Sequence, residues 1–323
     1  MQKKGESQRT WDVIGVGENS VDLVASLPAL PPTDGKAELT TLESRPGGQI
    51  ATALVGCARL GLRTAYIGTF GNDDRAALIR TTLTREGVDL QACREVDAPN
   101  RSALILVEES RSTRTVLWSR SAMLDWPPAT APLHLIAQSR ALLVDTTDIQ
   151  LSIAAARTAR EAGALTVADV DEDVPGLDEL LGLLDVLVVS SGLAGRIREL
   201  QARGPKLVVA TLGVVGAISW DGHRESYSPG FEVPVVDTTG AGDAFRAGLL
   251  WALLQAPKDL SDPMDPSNAV AALNCRALGA QAGLPTVAEV EALVTSARLG
   301  RSKRLWDPAR MPRPPAPSDG DAR

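Results

Sequence analysis

Residues 237–243, Asp-Thr-Thr-Gly-Ala-Gly-Asp, set small residues and carboxylates side by side. Behind them Ala244, Phe245, Gly248, Leu249, Ala252 and Leu253 recur at helical spacing, which places Gly240, Ala241 and Gly242 at a helix N-terminus. The first amides of a helix lack intrahelical acceptors and face the positive end of its dipole, so such a turn suits phosphate charge. Asp243, in the first turn, is expected to stay ionised. A carboxylate that can take an alcohol proton, next to amides that can hold a phosphoryl group, is equipped for phosphoryl transfer. Taken alone, glycines before a helix also form an ordinary turn with a capping aspartate.

Chemistry of this kind needs a scaffold, and the chain supplies a regular one. Short apolar runs at 13–16, 65–68, 141–144, 165–168, 186–189 and 207–210 read as strands covered on both faces. Helical patterns lie between them, one starting near Asn72 and ending at Gly87, another near Ser152 and ending at Gly163. The alternation predicts an α/β fold, a doubly wound and mainly parallel sheet flanked by helices. Residues 23–45 and 101–120 break the rhythm with strand-like patterns and no helix between, and are expected to form a small β lid. The core then comprises 12–22, 46–100 and 121–300, followed by a Pro-rich tail over 301–323 expected to be disordered.

Composition narrows the partners. The chain of 323 residues is long enough to bury a substantial core, and its 44% hydrophobic and 23% charged content is ordinary for a globular protein. A formal net charge of −7 without a basic run argues against nucleic acid. Cys57, Cys93 and Cys275 lack paired spacing and are expected as small core residues in a reducing cytoplasm. No secretory leader and no membrane span is read. His134 and His223, the two histidines, are expected on the surface.

Other nucleotide signatures fail. No GxxxxGK[ST] occurs, and Gly15-Val16-Gly17 begins a dinucleotide fingerprint whose third glycine is replaced by Ser20. The 237–243 run instead resembles the signature of the ribokinase-like (PfkB) carbohydrate kinases, as do Pro46-Gly47-Gly48, the stretch 67–74 and Thr211-x-Gly213-x-x-Gly216. The resemblance implies an ATP-dependent sugar kinase with Asp243 as base and the Gly240, Ala241 and Gly242 amides on the transferring phosphoryl group. It implies that Asp22, Gly47, Gly48 and Thr52 bind the sugar, with Thr52 where the family commonly has Asn. Thr211, Gly213, Gly216, Thr239 and Asn268 are placed with the nucleotide. Mg²⁺ is implied as cofactor, K⁺ at a monovalent-cation loop containing Asp237 and Thr239, and a homodimer through the lid. Where relatives often carry Asn-x-x-Glu to organise metal and water, this chain has Ser190 and Leu193. Asp169 and Asp171 follow a strand end and are expected as surface caps rather than metal ligands. Lys36, Arg45, Arg101, Arg114 and Arg120 fall in or near the lid and could meet an acidic or phosphorylated sugar, but acidic residues in the same segments make a solvated mixed-charge face an equal reading. A nucleoside kinase of the same fold, and a non-catalytic sugar- or nucleotide-binding homologue, stand as alternatives.

Overall fold

The apolar runs assemble as neighbours in one sheet. A computed structural model describes residues 9–111, 113–255 and 263–301, so residues 302–323 of the expected tail lie outside the described residues. The chain runs through β1 (Trp11–Val16), β2 (Ser20–Leu27), β3 (Thr41–Gly47), α1 (Gln49–Arg59), β4 (Thr64–Ile67), β5 (Thr69–Phe70), α2 (Asp74–Arg85), β6 (Arg94–Glu95), β7 (Ser102–Glu108) and β8 (Thr113–Ser119). It continues through β9 (Ser139–Val144), α3 (Ile149–Glu161), β10 (Leu165–Val170), α4 (Leu177–Leu181), β11 (Val186–Val189), α5 (Ile197–Ala202) and β12 (Leu207–Thr211). The remaining elements are β13 (Gly216–Trp220), β14 (Glu225–Pro229), α6 (Ala241–Gln255), α7 (Met264–Asn274) and α8 (Val287–Arg301).

The main sheet has eight strands in the order β14-β13-β12-β11-β10-β9-β1-β4. From β12 to β4 every pair is parallel, and β13 and β14 extend one edge in antiparallel sense. The strands read as unbroken apolar runs because consecutive side chains enter two different cores. Val13, Leu143, Val186, Val188 and Val209 pack with α1, α6 and α7, whereas Ile14, Leu142, Val144, Leu187, Val189 and Val208 pack with α3, α4 and α5.

Helix α6 is held by close approaches that only small residues permit. A Cβ on Gly56 of α1 would lie 2.6 Å from that of Ala247, and one on Gly248 would lie 2.8 Å from Cα of Ser267 on α7. Three helices thereby lock together and fix the direction in which the start of α6 points. One helix start differs from expectation by a residue: Asp73, not Asn72, caps α2 by accepting from the Ala76 amide at 3.0 Å, while Asn72 donates to Asp97.

A second sheet, in the order β3-β2-β7-β8, is built from two separate parts of the chain, with β2 and β7 parallel in its centre. It begins earlier than the boundary read at residue 23, since Ser20–Leu27 is one continuous strand. The short pair β5 and β6 and the β13–β14 hairpin were not expected.

The α1–α6 crossing makes a measurable demand. Gly56→Val should destabilise the protein by about 1–3 kcal/mol in urea unfolding, because the added carbons meet Ala247 in a packed core.

Candidate active site

The parallel strands end on one side of the sheet, where open α/β folds place their ligands. Asp145 follows β9 there and accepts from the Glu18 amide at 2.7 Å and the Thr147 amide at 2.9 Å, drawing the segment after β1 against it. Gly17 lies so close to this carboxylate that a Cβ would meet Oδ2 at 2.5 Å.

Asp243 stands in the first turn of α6 and is 2.5 Å from Nη1 of Arg246, one turn further on. The other guanidinium nitrogen contacts Asp169 near the end of β10. Asp169 is 1% exposed, so the expectation of a surface cap is wrong: its carboxylate is consumed in a buried ion pair. Arg246 is equally enclosed at 6% exposure. Its position inside an apolar helical pattern carried no sequence signal, and only the fold shows that it faces two carboxylates.

Burial dominates the protonation behaviour of this cluster. Desolvation pushes the Asp243 carboxyl well above its usual range, the nearby Asp169, Glu18 and Asp171 charges add to that, and Arg246 opposes it. The helix terminus expected to keep Asp243 ionised is thus outweighed, and Arg246 is the group that favours the carboxylate. Burial likewise raises Asp169 and Glu18 to about 7, each opposed by its arginine, Arg246 and Arg101 respectively. Asp22 and Asp145 are also raised by burial.

Gly240 has φ 73°, and a Cβ there would meet the Ala280 carbonyl oxygen at 2.6 Å, so glycine is required at the turn. The Ala241 amide, expected among the phosphoryl donors, is donated to the Thr238 carbonyl at 3.2 Å. Among the described residues none accepts from the Gly240, Gly242 or Asp243 amides. Asp237 caps the approach, accepting from the Thr239 amide and hydroxyl at 2.9 and 2.8 Å and from the Gly279 amide at 2.8 Å.

On the other side of the cleft, Gly47 and Gly48 let the start of α1 lie against the β1–β2 connection. A Cβ on Gly47 would meet Asp22 Oδ2 at 2.4 Å, and Gly48, at φ 93°, approaches Cα of Asn19. The structure therefore brings Asp22, Gly47 and Gly48 together. Thr52, also expected at the sugar, is fully buried, and its hydroxyl accepts from Gln281 at 3.2 Å. Sequence reasoning missed Asn19, whose amide donates to Tyr66 Oη and the Thr69 carbonyl at 2.9 Å each and whose oxygen accepts from Asn100 at 3.0 Å. It also missed the Glu18–Arg101 ion pair. A cleft lined by Glu18, Asn19, Thr69, Arg101, Arg120 and Thr147 opens here.

The turn after β12 presents Gly213, with φ 58° and open space around it, and leaves Val214 93% exposed. Gly216 is a close-approach glycine, because a Cβ would lie 2.1 Å from the Ser228 carbonyl oxygen. Thr211 donates its hydroxyl to the Val189 carbonyl at 3.4 Å. Asn268, expected with the nucleotide, is buried and donates to the Ser228 carbonyl and hydroxyl at 3.0 and 2.9 Å, tying α7 to β14. Leu193 packs partly buried on the core beneath β11.

Two metal expectations can be tested against the donors. Among the described residues no three His, Cys, Asp or Glu side chains converge on a metal position. The candidate monovalent-cation ligands fit poorly: both Asp237 oxygens accept protein donors, and the Thr239 carbonyl accepts from Asn274 at 3.2 Å. No helix among the described residues is long and apolar enough to cross a membrane.

The chain is similar to known proteins along most of its length. Residues 12–287 match the profile of the pfkB family carbohydrate kinases. An ATP-dependent ribose-1-phosphate kinase of Halopiger xanaduensis is 28% identical over 88% of this chain and 98% of its own length. A fructokinase of Klebsiella pneumoniae is 33% identical over 74% of this chain and 89% of its own. The structure of Arabidopsis thaliana ribokinase complexed with ribose and ATP superposes with a TM-score of 0.79, at 23% identity, covering 88% of this chain and 98% of that one.

The raised Glu18 carboxyl has a consequence for stability. Its folded value of about 7 exceeds the ordinary 4.5, so its contribution is full below about pH 4.5 and is lost as pH rises through 7. Melting of the unliganded protein should fall across that window, and Glu18→Gln should flatten the fall by an amount on the order of 1 kcal/mol.

Proposed function

The chain belongs to the pfkB family of carbohydrate kinases, and from that premise we propose that it transfers the γ-phosphoryl group of ATP to a hydroxyl of a neutral carbohydrate, with Asp243 as general base. The observation that carries this reading is the placing of a partly buried, arginine-held carboxylate beside the glycine turn that opens α6.

In the proposed reaction Asp243 accepts the proton of a primary alcohol as its oxygen forms a bond to phosphorus, and the bridging bond to ADP breaks. The Gly240 and Gly242 amides face the charge that develops on the phosphoryl oxygens. Mg²⁺, when bound with ATP, would neutralise phosphate charge. Arg246 favours the charged carboxylate before the hydroxyl arrives and holds it against the end of β10 through Asp169. A raised proton affinity strengthens a carboxylate as a base.

Asp22 is assigned to the sugar hydroxyls, with Gly47 and Gly48 giving the ring close access to backbone. The nucleotide is assigned to the space between the Thr211 to Gly216 turn and the start of α6, where the exposed Val214 offers an apolar contact. A neutral acceptor is favoured because the arginines of the sugar cleft are already paired, Arg101 with Glu18 and Arg120 with Asp125. The second sheet serves as a lid that excludes water during transfer. Its register aligns Leu23, Leu104 and Leu117 across one face, and Leu23 and Leu117 are exposed, which supports a homodimer through that face.

ADP release should be measured with ATP and Mg²⁺ against neutral sugars, sugar acids, sugar phosphates and nucleosides. Neutral sugars are expected to support turnover, and Asp243→Asn should lower it by roughly 10²- to 10⁴-fold with little change in sugar affinity. Exclusive use of a sugar phosphate or a nucleoside would overturn the acceptor assignment, and unaltered turnover in the variant would overturn the base. Light scattering of the purified protein checks the dimer, and a monomer at micromolar concentration would remove it.

A further inference from the structure

The loop before α6 and the loop after α7 are stitched together at several points. The amides of Val236 and Asp237 donate to the Cys275 carbonyl at 2.8 and 3.2 Å, and the Gly279 amide donates to Asp237. At the centre lies Asn274, the last residue of α7, with no exposed surface. Its Nδ2 donates to the Thr239 carbonyl at 3.2 Å and to the Ala280 carbonyl at 3.0 Å. Two carbonyl oxygens on that side fix which end of the amide faces them, since the reversed orientation would oppose oxygen to oxygen. The Asn274 Oδ1 has no partner among the described residues, so the side chain bears the cost of an unsatisfied acceptor to keep its donors in place.

These bonds bear on the reacting end of α6. Gly240 is packed against Ala280, one of the two residues whose carbonyls the amide grips, and Thr239 carries the other. The acceptors that these loops turn towards each other are the same two carbonyls and Asp237, whose oxygens already accept three protein donors. Positive charge reaches the loops from elsewhere. Arg114 donates to the Thr238 hydroxyl at 3.2 Å, and the stem of Arg45 lies against Gly279.

We propose that the Asn274 side-chain amide takes the structural place of a bound monovalent cation in this protein, holding the loop that presents Gly240 without any need for K⁺. Asn274 is a positioning residue: it acts on the phosphoryl cradle through the Thr239 and Ala280 carbonyls and touches no reacting atom. The inference rests on the kinase reading only where turnover is the readout, and melting tests it separately.

The test compares KCl, NaCl and tetramethylammonium chloride at equal ionic strength, on wild type and on Asn274→Ala, by thermal melting and by turnover on whichever acceptor the panel yields. Wild type is expected to melt at the same temperature in all three salts and to change turnover by less than about twofold. Asn274→Ala removes both donors and leaves two carbonyls and a space, so K⁺ should now bind. At a K⁺ concentration ten times its dissociation constant, the folded-to-unfolded ratio of the variant should rise about tenfold, with turnover recovering in KCl alone. Asn274→Ser, smaller but still polar, provides the same comparison if the alanine variant does not fold. Specific K⁺ stabilisation or stimulation of wild type would overturn the proposal, as would folded variants indifferent to K⁺. A wild type without kinase activity but with salt-independent melting would sink the kinase reading and leave this inference standing.

Discussion

Arg246, enclosed between Asp169 and Asp243, is the interaction on which the site depends. Charges removed from water are costly, and each member of this group is tolerated because the others are there. The guanidinium joins the end of a central strand to the first turn of α6, so the carboxylate that faces the cleft is fixed relative to the sheet and not only to its own helix. That cation opposes the burial and the surrounding acids that raise the Asp243 carboxyl, and only the ionised form can take a proton. Positioning and protonation are in this sense one property of one side chain.

The same helix start is constrained from its other sides by atoms that carry no charge. Gly56, Ala247 and Gly248 set how near α1 and α7 can come, and the loop containing Thr239 and Gly240 is held by backbone and side-chain amides from the end of α7. Close packing sets the axis of α6, the ion pairs set its rotation, and the loop bonds set the turn that precedes it. These restraints come from parts of the chain far apart in sequence, as preorganised sites require.

Much of this was legible in the residues. The apolar runs predicted the parallel strands because two-sided burial leaves no polar alternation, and the small residues of 237–243 announced a helix start. What could not be read was governed by tertiary contact. The β13–β14 hairpin is an edge whose mixed sequence lacks the signal of a central strand. Asp169 resembled a capping residue because nothing local distinguishes a solvated aspartate from one facing an arginine many residues later. Thr52 and Asn268 matched expected ligand positions by order along the chain, yet Gln281 and Ser228 engage their side chains. Motif order locates a region, whereas hydrogen-bond partners decide whether a side chain within it is free.

The second sheet is assembled from two excursions, β2 with β3 and β7 with β8, each inserted between elements of the main sheet without altering the order of the parallel strands. The chain leaves the core after β1 and before β7, where Asn19 and Asn100 are bonded to each other. This makes the appendage an exchangeable part in evolutionary terms. Its strands can lengthen, recolour their exposed face or acquire new loop residues while the junction stays constant, so selection on the acceptor and selection on the phosphoryl-transfer machinery can proceed along largely separate tracks.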